Sequence, residues 1–398
     1  MRDIEPLANA APTGRIASVD ALRGFNIFWI LGADAVVWSL NDMLRDTNPA
    51  LSALGGFLNT QMTHAEWEGF HFYDFIFPLL IFVTGVSIVL SLPQLVKREG
   101  KTQAYIRVSR RALILYGLGL IFYGGISRHW SDIRMLGVLQ RIALCYLFAS
   151  IVFLNCQVRG IVVSVVALLV GYWALMTFVP VPGIGAGSFA PDTSLANWID
   201  SQWLPGWRWD ITRDPEGLLS TLPSIATCLI GVLAGILLTN SRLQGRQKSL
   251  LLIAAGIPLI IAGYLWGLQF PVIKAIWTSS FVLVAGGYSL ILLGILHQVI
   301  DVWGYKRWAA VFIWIGANAL TLYIINNVTT DEFALRFGGA TVSTFELLAT
   351  RFVGGDVASL LDRIATPGTG TFAVRVLGLM FAILLARFLY QRRIFLHV

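Results

Sequence analysis

Few side chains in this sequence can do chemistry, and several of those sit together. The stretch Thr63-His-Ala-Glu-Trp-Glu-Gly-Phe-His-Phe-Tyr-Asp74 places two histidines and three carboxylates within twelve residues. An imidazole with an ordinary pKa of ~6.5 can exchange a proton near neutrality. His64 and His71 are therefore proton-transfer candidates, although a lone histidine serves structure as readily. Asp74 precedes an apolar run. It is placed to accept free backbone N–H groups at a helix start or to orient an imidazole. A His-x6-His spacing is no recognised metal pattern and His-Glu-x-x-His is absent, so no metal is expected. Asp34 lies inside a second apolar run, in Trp29-Ile-Leu-Gly-Ala-Asp-Ala35. An ionisable group at membrane depth is costly and usually functional. Its plainer reading is a packing carboxylate paired with an arginine or a hydroxyl.

Other charged and polar residues leave two readings open. Arg141, in Gly137-Val-Leu-Gln-Arg141, also lies in an apolar segment. A buried cation needs an anion, here a carboxylate or a ligand phosphate. Lys274 precedes Ala-Ile-Trp277-Thr-Ser-Ser280, and Asn318 lies in Gly316-Ala-Asn-Ala. Asn318 suits an interhelical hydrogen bond or a ligand contact. Asp214-Pro-Glu-Gly217 reads as a helix start, with Asp as N-cap and Pro at the first position. The segment Lys97–Arg111 holds six bases in fifteen residues, Arg107 and Arg110 among them. That run satisfies the positive-inside rule or receives a polyphosphate in arginine forks. No Walker A motif and no Gly-x-Gly-x-x-Gly after a strand is present, so ATP hydrolysis and dinucleotide binding have no support.

The elements that must position these residues follow from composition. Of 398 residues, 56% are hydrophobic and 13% charged. Soluble domains carry roughly 25% charged residues, so the chain cannot cover a water-facing surface of its size. About 20 apolar residues span a bilayer as a helix, and lipid-exposed backbone must satisfy itself internally. Runs such as Leu79-Leu-Ile-Phe-Val83 do not alternate as barrel strands do. An all-α integral membrane protein of about ten transmembrane helices is expected. The predicted spans are 22–40, 72–92, 110–126, 135–154, 160–180, 218–239, 249–267, 278–297, 308–327 and 371–391. No cleavable signal peptide is expected, because Met1–Asp20 lacks an apolar core.

Charge orients the chain. The connections on the side of the termini carry a net +13 and the opposite side a net −6, which together make the formal +7. Lys and Arg concentrate on the cytoplasmic side, so both termini are predicted inside. The net positive charge therefore argues for no nucleic-acid partner. The predicted organisation is a cytoplasmic N-terminal segment, 1–20, and a single transmembrane domain, 21–398. Long connections are expected at 41–71, 181–217 and 328–370 on the outer side. The second holds Trp198, Trp203, Trp207 and Trp209. These suit the membrane interface or stacking on a sugar face.

Seven strings occur in order: Ser18-Val-Asp-Ala-Leu-Arg23-Gly24, His64-Ala-Glu-Trp-Glu-Gly69, Asp74-Phe-Ile-Phe-Pro78, Gly137-Val-Leu-Gln-Arg141, Asp214-Pro-Glu-Gly-Leu-Leu219, Lys274-Ala-Ile-Trp-Thr-Ser-Ser280 and Gly316-Ala-Asn-Ala-Leu320. Together they resemble bacterial members of the heparan-alpha-glucosaminide N-acetyltransferase family, from about residue 15 onward. The family's lumenal N-terminal domain has no counterpart. The resemblance implies transfer of acetyl from cytoplasmic acetyl-CoA, as co-substrate, to the amine of a glucosamine-like sugar at the outer side. It implies a multi-pass protein of a bacterial inner membrane, and it alone suggests a homodimer. The family's active-site histidine matches His64, as general base or acetyl carrier. Its asparagine in the first helix aligns with Asp34, a departure that bears on catalysis and on the acceptor. Asp34 or Asp74 would orient the ring. Lys274, Ser280 and Asn318 are the candidates to polarise the thioester. Arg23, Arg107, Arg110, Arg141, Lys274, Trp277, Ser280 and Asn318 form the expected donor-binding set. Two other readings stay open: an acyl-CoA-dependent O-acyltransferase of a cell-envelope glycan, and a secondary transporter of a small sugar.

Overall fold

The computed structural model describes residues 16–45, 48–123, 129, 131, 133–210, 213–327 and 343–395. The order is α1 (Ala17–Phe28), a π-helical turn (Trp29–Ala33), α2 (Asp34–Leu44), α3 (Pro49–Gln61), α4 (Phe72–Glu99), α5 (Lys101–Phe122), α6 (Val138–Asn155) and α7 (Val158–Phe178). There follow α8 (Leu195–Trp203), α9 (Thr221–Thr239), α10 (Gly245–Gly267), α11 (Ser279–Leu296) with a π-helical extension (His297–Val302), α12 (Ala310–Ala317) and α13 (Ala319–Asn327). The last three are α14 (Thr344–Val353), α15 (Gly355–Ile364) and α16 (Thr369–Gln391).

Among the described residues, eight helices are long and apolar enough to cross a membrane, and the bent pair α12–α13 makes a ninth. The protein is thus an all-α, multi-pass membrane protein. The predicted span 308–327 is not one straight helix. It breaks at Asn318, where α12 and α13 diverge by 77°. Of the predicted span 110–126, residues 110–122 are the second half of α5, which is not among those nine, and 124–126 lie outside the described residues. The first three turns of α5 carry Lys101, Arg107, Arg110 and Arg111, so the expected basic loop is mostly helix. Gly100, at φ +86°, is the hinge between α4 and α5. The connections expected to be long contain α3, α8, α14 and α15, while residues 328–342 lie outside the described residues.

Helices α4, α9 and α11 form the buried centre, and α7, α10 and α16 show mostly outward-facing surface. In lipid, apolar area alone does not drive helices together; close packing through small residues does. At the α4–α9 crossing, a Cβ on Gly85 would lie 1.9 Å from the Cys228 carbonyl oxygen. One on Gly231 would lie 2.0 Å from the Phe82 carbonyl oxygen. Only glycine permits this approach. Leu79, Phe82, Val86, Leu229, Val232, Val282 and Leu293 fill the space around it. Gly24 of α1 and Gly316 of α12 meet the same way.

Candidate active site

The first helix does not run straight past Asp34. Gly32 has φ +119° within the π-helical turn, a conformation open to glycine at little cost. Irregular backbone at membrane depth is tolerated where protein or a cavity surrounds it. Asp34 begins α2 just beyond this break, with its Oδ1 accepting the Ala35 N–H at 2.7 Å. Its Oδ2 accepts the Tyr73 hydroxyl at 2.6 Å. Asp34 therefore holds Tyr73 and does not touch the imidazole of His64.

Asp74 does both things expected of it. It sits in the first turn of α4, and its Oδ2 accepts the backbone N–H groups of His71 (3.0 Å) and Ala65 (3.1 Å). Its Oδ1 lies 2.9 Å from His64 Nδ1. The carboxylate is buried and the imidazole half exposed. Lys274, from the turn before α11, reaches over with Nζ 2.8 Å from His64 Nδ1, 3.1 Å from Nε2 and 3.5 Å from Asp74 Oδ1. The Tyr73 ring packs 4.9 Å from the His64 ring. His71 instead bonds the Thr63 carbonyl through Nδ1 at 3.0 Å, which pins the loop.

An ionised Asp74 accepts only, so Nδ1 carries the proton and Nε2 holds the accepting lone pair, which Lys274 Nζ meets at 3.1 Å. Burial lowers the His64 pKa; Asp74 pulls it up, the Lys274 charge pushes it down, and the net direction is down. Burial likewise holds the Lys274 ammonium below the ordinary lysine range, with Asp74 and Glu216 pulling the other way. Both shifts favour the neutral form, so the imidazole is neutral at pH 7 and Lys274 holds its proton less firmly than an ordinary lysine. The pair can accept one proton and stabilise one developing negative charge.

His64, Tyr73, Asp74 and Lys274 line a cavity of about 580 Å3 that also touches Arg134, Trp209 and Glu216. A second cavity of about 430 Å3 is lined by Arg23, Thr84, Ser87, Arg111, Leu115 and Tyr146, among others. The two share Leu80, Val138 and Tyr323 and therefore abut.

The expected donor-binding residues divide. Arg23 is in the wall of the second cavity, donating to Ser87 Oγ (2.7 Å) and paired with Asp20 (3.3 Å). Arg107 and Arg110 are exposed, and Arg107 pairs with Glu99 at 2.7 Å. Neither lines either cavity. Arg141 is fully buried. Its partner is neither a carboxylate nor open to a phosphate. It donates to the Gly217 carbonyl (3.2 Å) and the Ser220 hydroxyl and lies 5.0 Å from the Trp277 ring. Trp277 in turn donates to Thr227 Oγ1 at 3.2 Å. Ser280 bonds the Phe270 and Pro271 carbonyls at 2.6 and 3.0 Å. These three brace the turn that carries Lys274. Asn318 is buried at the α12–α13 break, and its amide has no hydrogen bond among the described residues.

Arg134 and Tyr73 escaped the reading of the sequence; Arg111 reads there only as one of six bases in its run, and Glu216 only as part of a helix start. Asp214 does not cap α9, which starts at Thr221. It forms a two-point ion pair with Arg134 (2.8 and 2.6 Å), and Glu216 binds the same guanidinium. Burial opposes the Arg134 charge, but the two carboxylates outweigh it and its pKa moves up. Burial raises Glu216, with Arg134 pulling it back. The behind-the-scenes support is Asp200 of α8, which accepts the Leu218 N–H at 2.8 Å and which burial pushes up to about 7. A surplus of acid in Asp214-Pro-Glu216 was visible; its partner 80 residues earlier was not.

Two curated proteins resemble this chain. Heparan-alpha-glucosaminide N-acetyltransferase of Homo sapiens is 27% identical over 335 residues, which is 69% of this chain and 50% of that protein. The Mus musculus protein of the same name is 23% identical over 394 residues, 84% of this chain and 57% of that protein. The chain thus spans about half the length of the curated relatives it matches. No family model matches it. By these two likenesses the chain is a distant relative of the heparan-alpha-glucosaminide N-acetyltransferases.

Proposed function

We propose that this protein moves an acetyl group from acetyl-CoA at the cytoplasmic face to the amine of an amino sugar at the outer face. The observation that carries the reading is the pair of abutting cavities. Arg23 and Arg111 stand in one, and His64, Asp74 and Lys274 in the other. CoA pairs an anionic head with a long thin arm ending in a thioester. Arginine forks suit the phosphates. The slot past Thr84, Leu80 and Val138 suits the arm and leads toward His64. In this orientation the basic side is cytoplasmic, in line with the charge bias, and both termini lie there if the more charged α5 crosses as a tenth element beside the nine apolar ones.

The chemistry then follows from the site. His64 Nε2 takes a proton from the sugar amine as its nitrogen bonds to the thioester carbonyl carbon. The carbonyl electrons move onto oxygen, where the Lys274 ammonium opposes the new charge. The imidazolium is stabilised by Asp74, which stays ionised. When the carbon–sulfur bond breaks, the thiolate leaves and takes the proton back from His64. Asp34 shapes the site through Tyr73.

The test is transfer of labelled acetyl from acetyl-CoA to glucosamine by the full chain in reconstituted vesicles. His64→Ala is expected to lower turnover by about 10²–10⁴-fold while the protein stays folded by size-exclusion profile and helical circular dichroism. Normal turnover by that variant overturns the mechanism. Transfer to sugar hydroxyls alone would point to the O-acyltransferase reading, and sugar uptake without acetyl-CoA to a transporter.

A further inference from the structure

Helices α14 and α15 lie in the connection expected at 328–370, and each has two unlike sides. On α14, Phe345 and Ala349 are buried, and Phe345 packs in a cluster with Ile27, Leu31 and Ala382. Leu348 and Phe352 are open, Phe352 at 76% exposure. On α15, Val357, Leu360 and Ile364 recur at helical spacing along one side. All three are exposed, Ile364 at 71%. Water-facing surfaces rarely gather large apolar side chains in this way.

The depth of these sides is fixed by α16, which runs the length of a membrane span from Thr369 to Gln391. Gly378 lies about 14 Å along α16 from Thr369, at about 1.5 Å per residue. A Cβ there would stand 3.1 Å from the Phe345 carbonyl oxygen. Phe381 lies about 18 Å along, and its ring centroid is 5.9 Å from that of Phe352. Gly354, at φ +80°, turns the chain into α15, which returns to the start of α16. There Gly370 leaves no room for a Cβ against the Ala358 carbonyl, and Asp362 Oδ1 accepts the Gly370 N–H at 2.8 Å. A hydrocarbon core is about 30 Å thick. Thus α14 lies beside the part of α16 within that core, and α15 beside the end that emerges.

Polar groups at this depth find partners within the protein. Glu346 faces Arg375 at 3.5 Å, Arg375 donates to the Ala35 carbonyl at 3.0 Å, and Thr350 Oγ1 donates to the Glu346 carbonyl at 2.8 Å. The exposed charges on the two helices are Arg351, Asp356 and Arg363. Asp356 and Arg363 belong to the emerging helix, and a long arginine stem can cross apolar surface while its head reaches water. Helix α16 itself presents Met380, Leu384 and Phe388 outward, a surface of the same apolar kind.

We infer that α14 and α15 are sunk into the leaflet around the Thr369 end of α16, where Leu348, Phe352, Val357, Leu360 and Ile364 dock on lipid acyl chains. A helix satisfies its own backbone and so tolerates this setting. Phe352 is the deepest of the five, and α15 rises from it to the headgroups.

Spin labelling of the full chain in phosphatidylcholine vesicles tests the placement. Of the native cysteines, Cys145 and Cys228 are buried and Cys156 is half-buried, so Cys156→Ser gives a background without an accessible thiol. Phe352→Cys, Leu360→Cys and Ile364→Cys are labelled one at a time with a nitroxide. Collision with oxygen, which enters lipid, is compared with collision with a water-soluble nickel chelate. Leu384→Cys on α16 is the lipid reference, and Ser241→Cys, exposed before α10, is the water reference. The oxygen-to-nickel ratio at Phe352 and Leu360 should match that at Leu384 and exceed that at Ser241 by about tenfold, because hydrocarbon excludes a hydrated ion. It should decline from Phe352 to Ile364. A ratio at Phe352 and Leu360 equal to that at Ser241 overturns the embedding. Poor access of both agents at these two sites would mean that a second copy covers the face, and overturns lipid as its occupant. The labelled positions are exposed, so the fold should survive, as the size-exclusion profile checks. Leu348→Cys, on the same helix, replaces Phe352→Cys if that variant does not fold.

Discussion

A half-exposed imidazole held between a buried carboxylate and a lysine has its protonation set by three opposing forces. Burial and the Lys274 charge favour the neutral form, and Asp74 favours the charged one. The net shift is downward, so His64 is neutral and able to accept a proton at pH 7. Turnover under saturating donor should therefore fall as pH drops through a midpoint below the ordinary ~6.5 of histidine. Lys274→Met removes one cause of the lowering, so the acid limb of the pH–rate profile should move to higher pH. Turnover should also fall, since the developing oxyanion loses its cation. A profile that stays in place, or moves to lower pH, would show that Lys274 does not act on His64 as described. Asp74 was legible as a residue of interest because it starts an apolar run. Its choice over Asp34 as the partner of His64 was not legible, because both carboxylates satisfy the sequence equally. The break at Gly32 decides it by presenting Asp34 to Tyr73.

Helices in this bundle are held by contact rather than by aversion to water, so their closest crossings carry much of the stability. Gly231 of α9 rests on the Phe82 carbonyl of α4, with no room for a Cβ. Gly231→Leu should separate α4 from α9. Overpacking of this kind costs about 1–3 kcal/mol and sometimes more. The expected result is a lower melting temperature in detergent, with reduced transfer because α4 carries Tyr73 and Asp74. Gly171 of α7 supplies the contrast, since a Cβ there meets nothing within 4 Å. Gly171→Ala should leave the melting temperature unchanged or raise it slightly, as alanine favours helix. Equal destabilisation by the two would remove the crossing as the cause. Apolar run length foretold where these helices lie. It could not foretell which glycines face a neighbour's backbone, since a glycine reads alike on a lipid face and in a crossing.

Across the whole molecule, the proposed function depends on continuity between the two abutting cavities. Leu80, Val138 and Tyr323 come from α4, α6 and α13 and stand where the cavities meet. Val138→Trp should obstruct this junction. Transfer from acetyl-CoA supplied at the Arg23 end should fall at least tenfold. Transfer from a truncated thioester such as S-acetyl-N-acetylcysteamine, supplied from the His64 end, should change little, because His64, Asp74 and Lys274 are untouched. Equal loss with both donors would mean that the substitution damages the site itself and that the passage is not the route.

The sequence by itself determined what depends on neighbours along the chain. Scarce charge and apolar runs of membrane length require a helical bundle in lipid, and the uneven Lys and Arg distribution predicts its orientation. His64 and Asp74 were visible because they share one short segment. The tertiary structure alone decided what depends on distant residues. Lys274 meets His64 from 210 positions away, and Arg134 finds Asp214 across 80. Arg141 turns out to brace a turn, and the predicted helix 308–327 breaks at Asn318. Hydropathy is a local sum, whereas the partner of a buried charge is set by which helix faces pack. In this chain those faces are chosen by glycines and backbone breaks whose roles appear only once the helices are assembled.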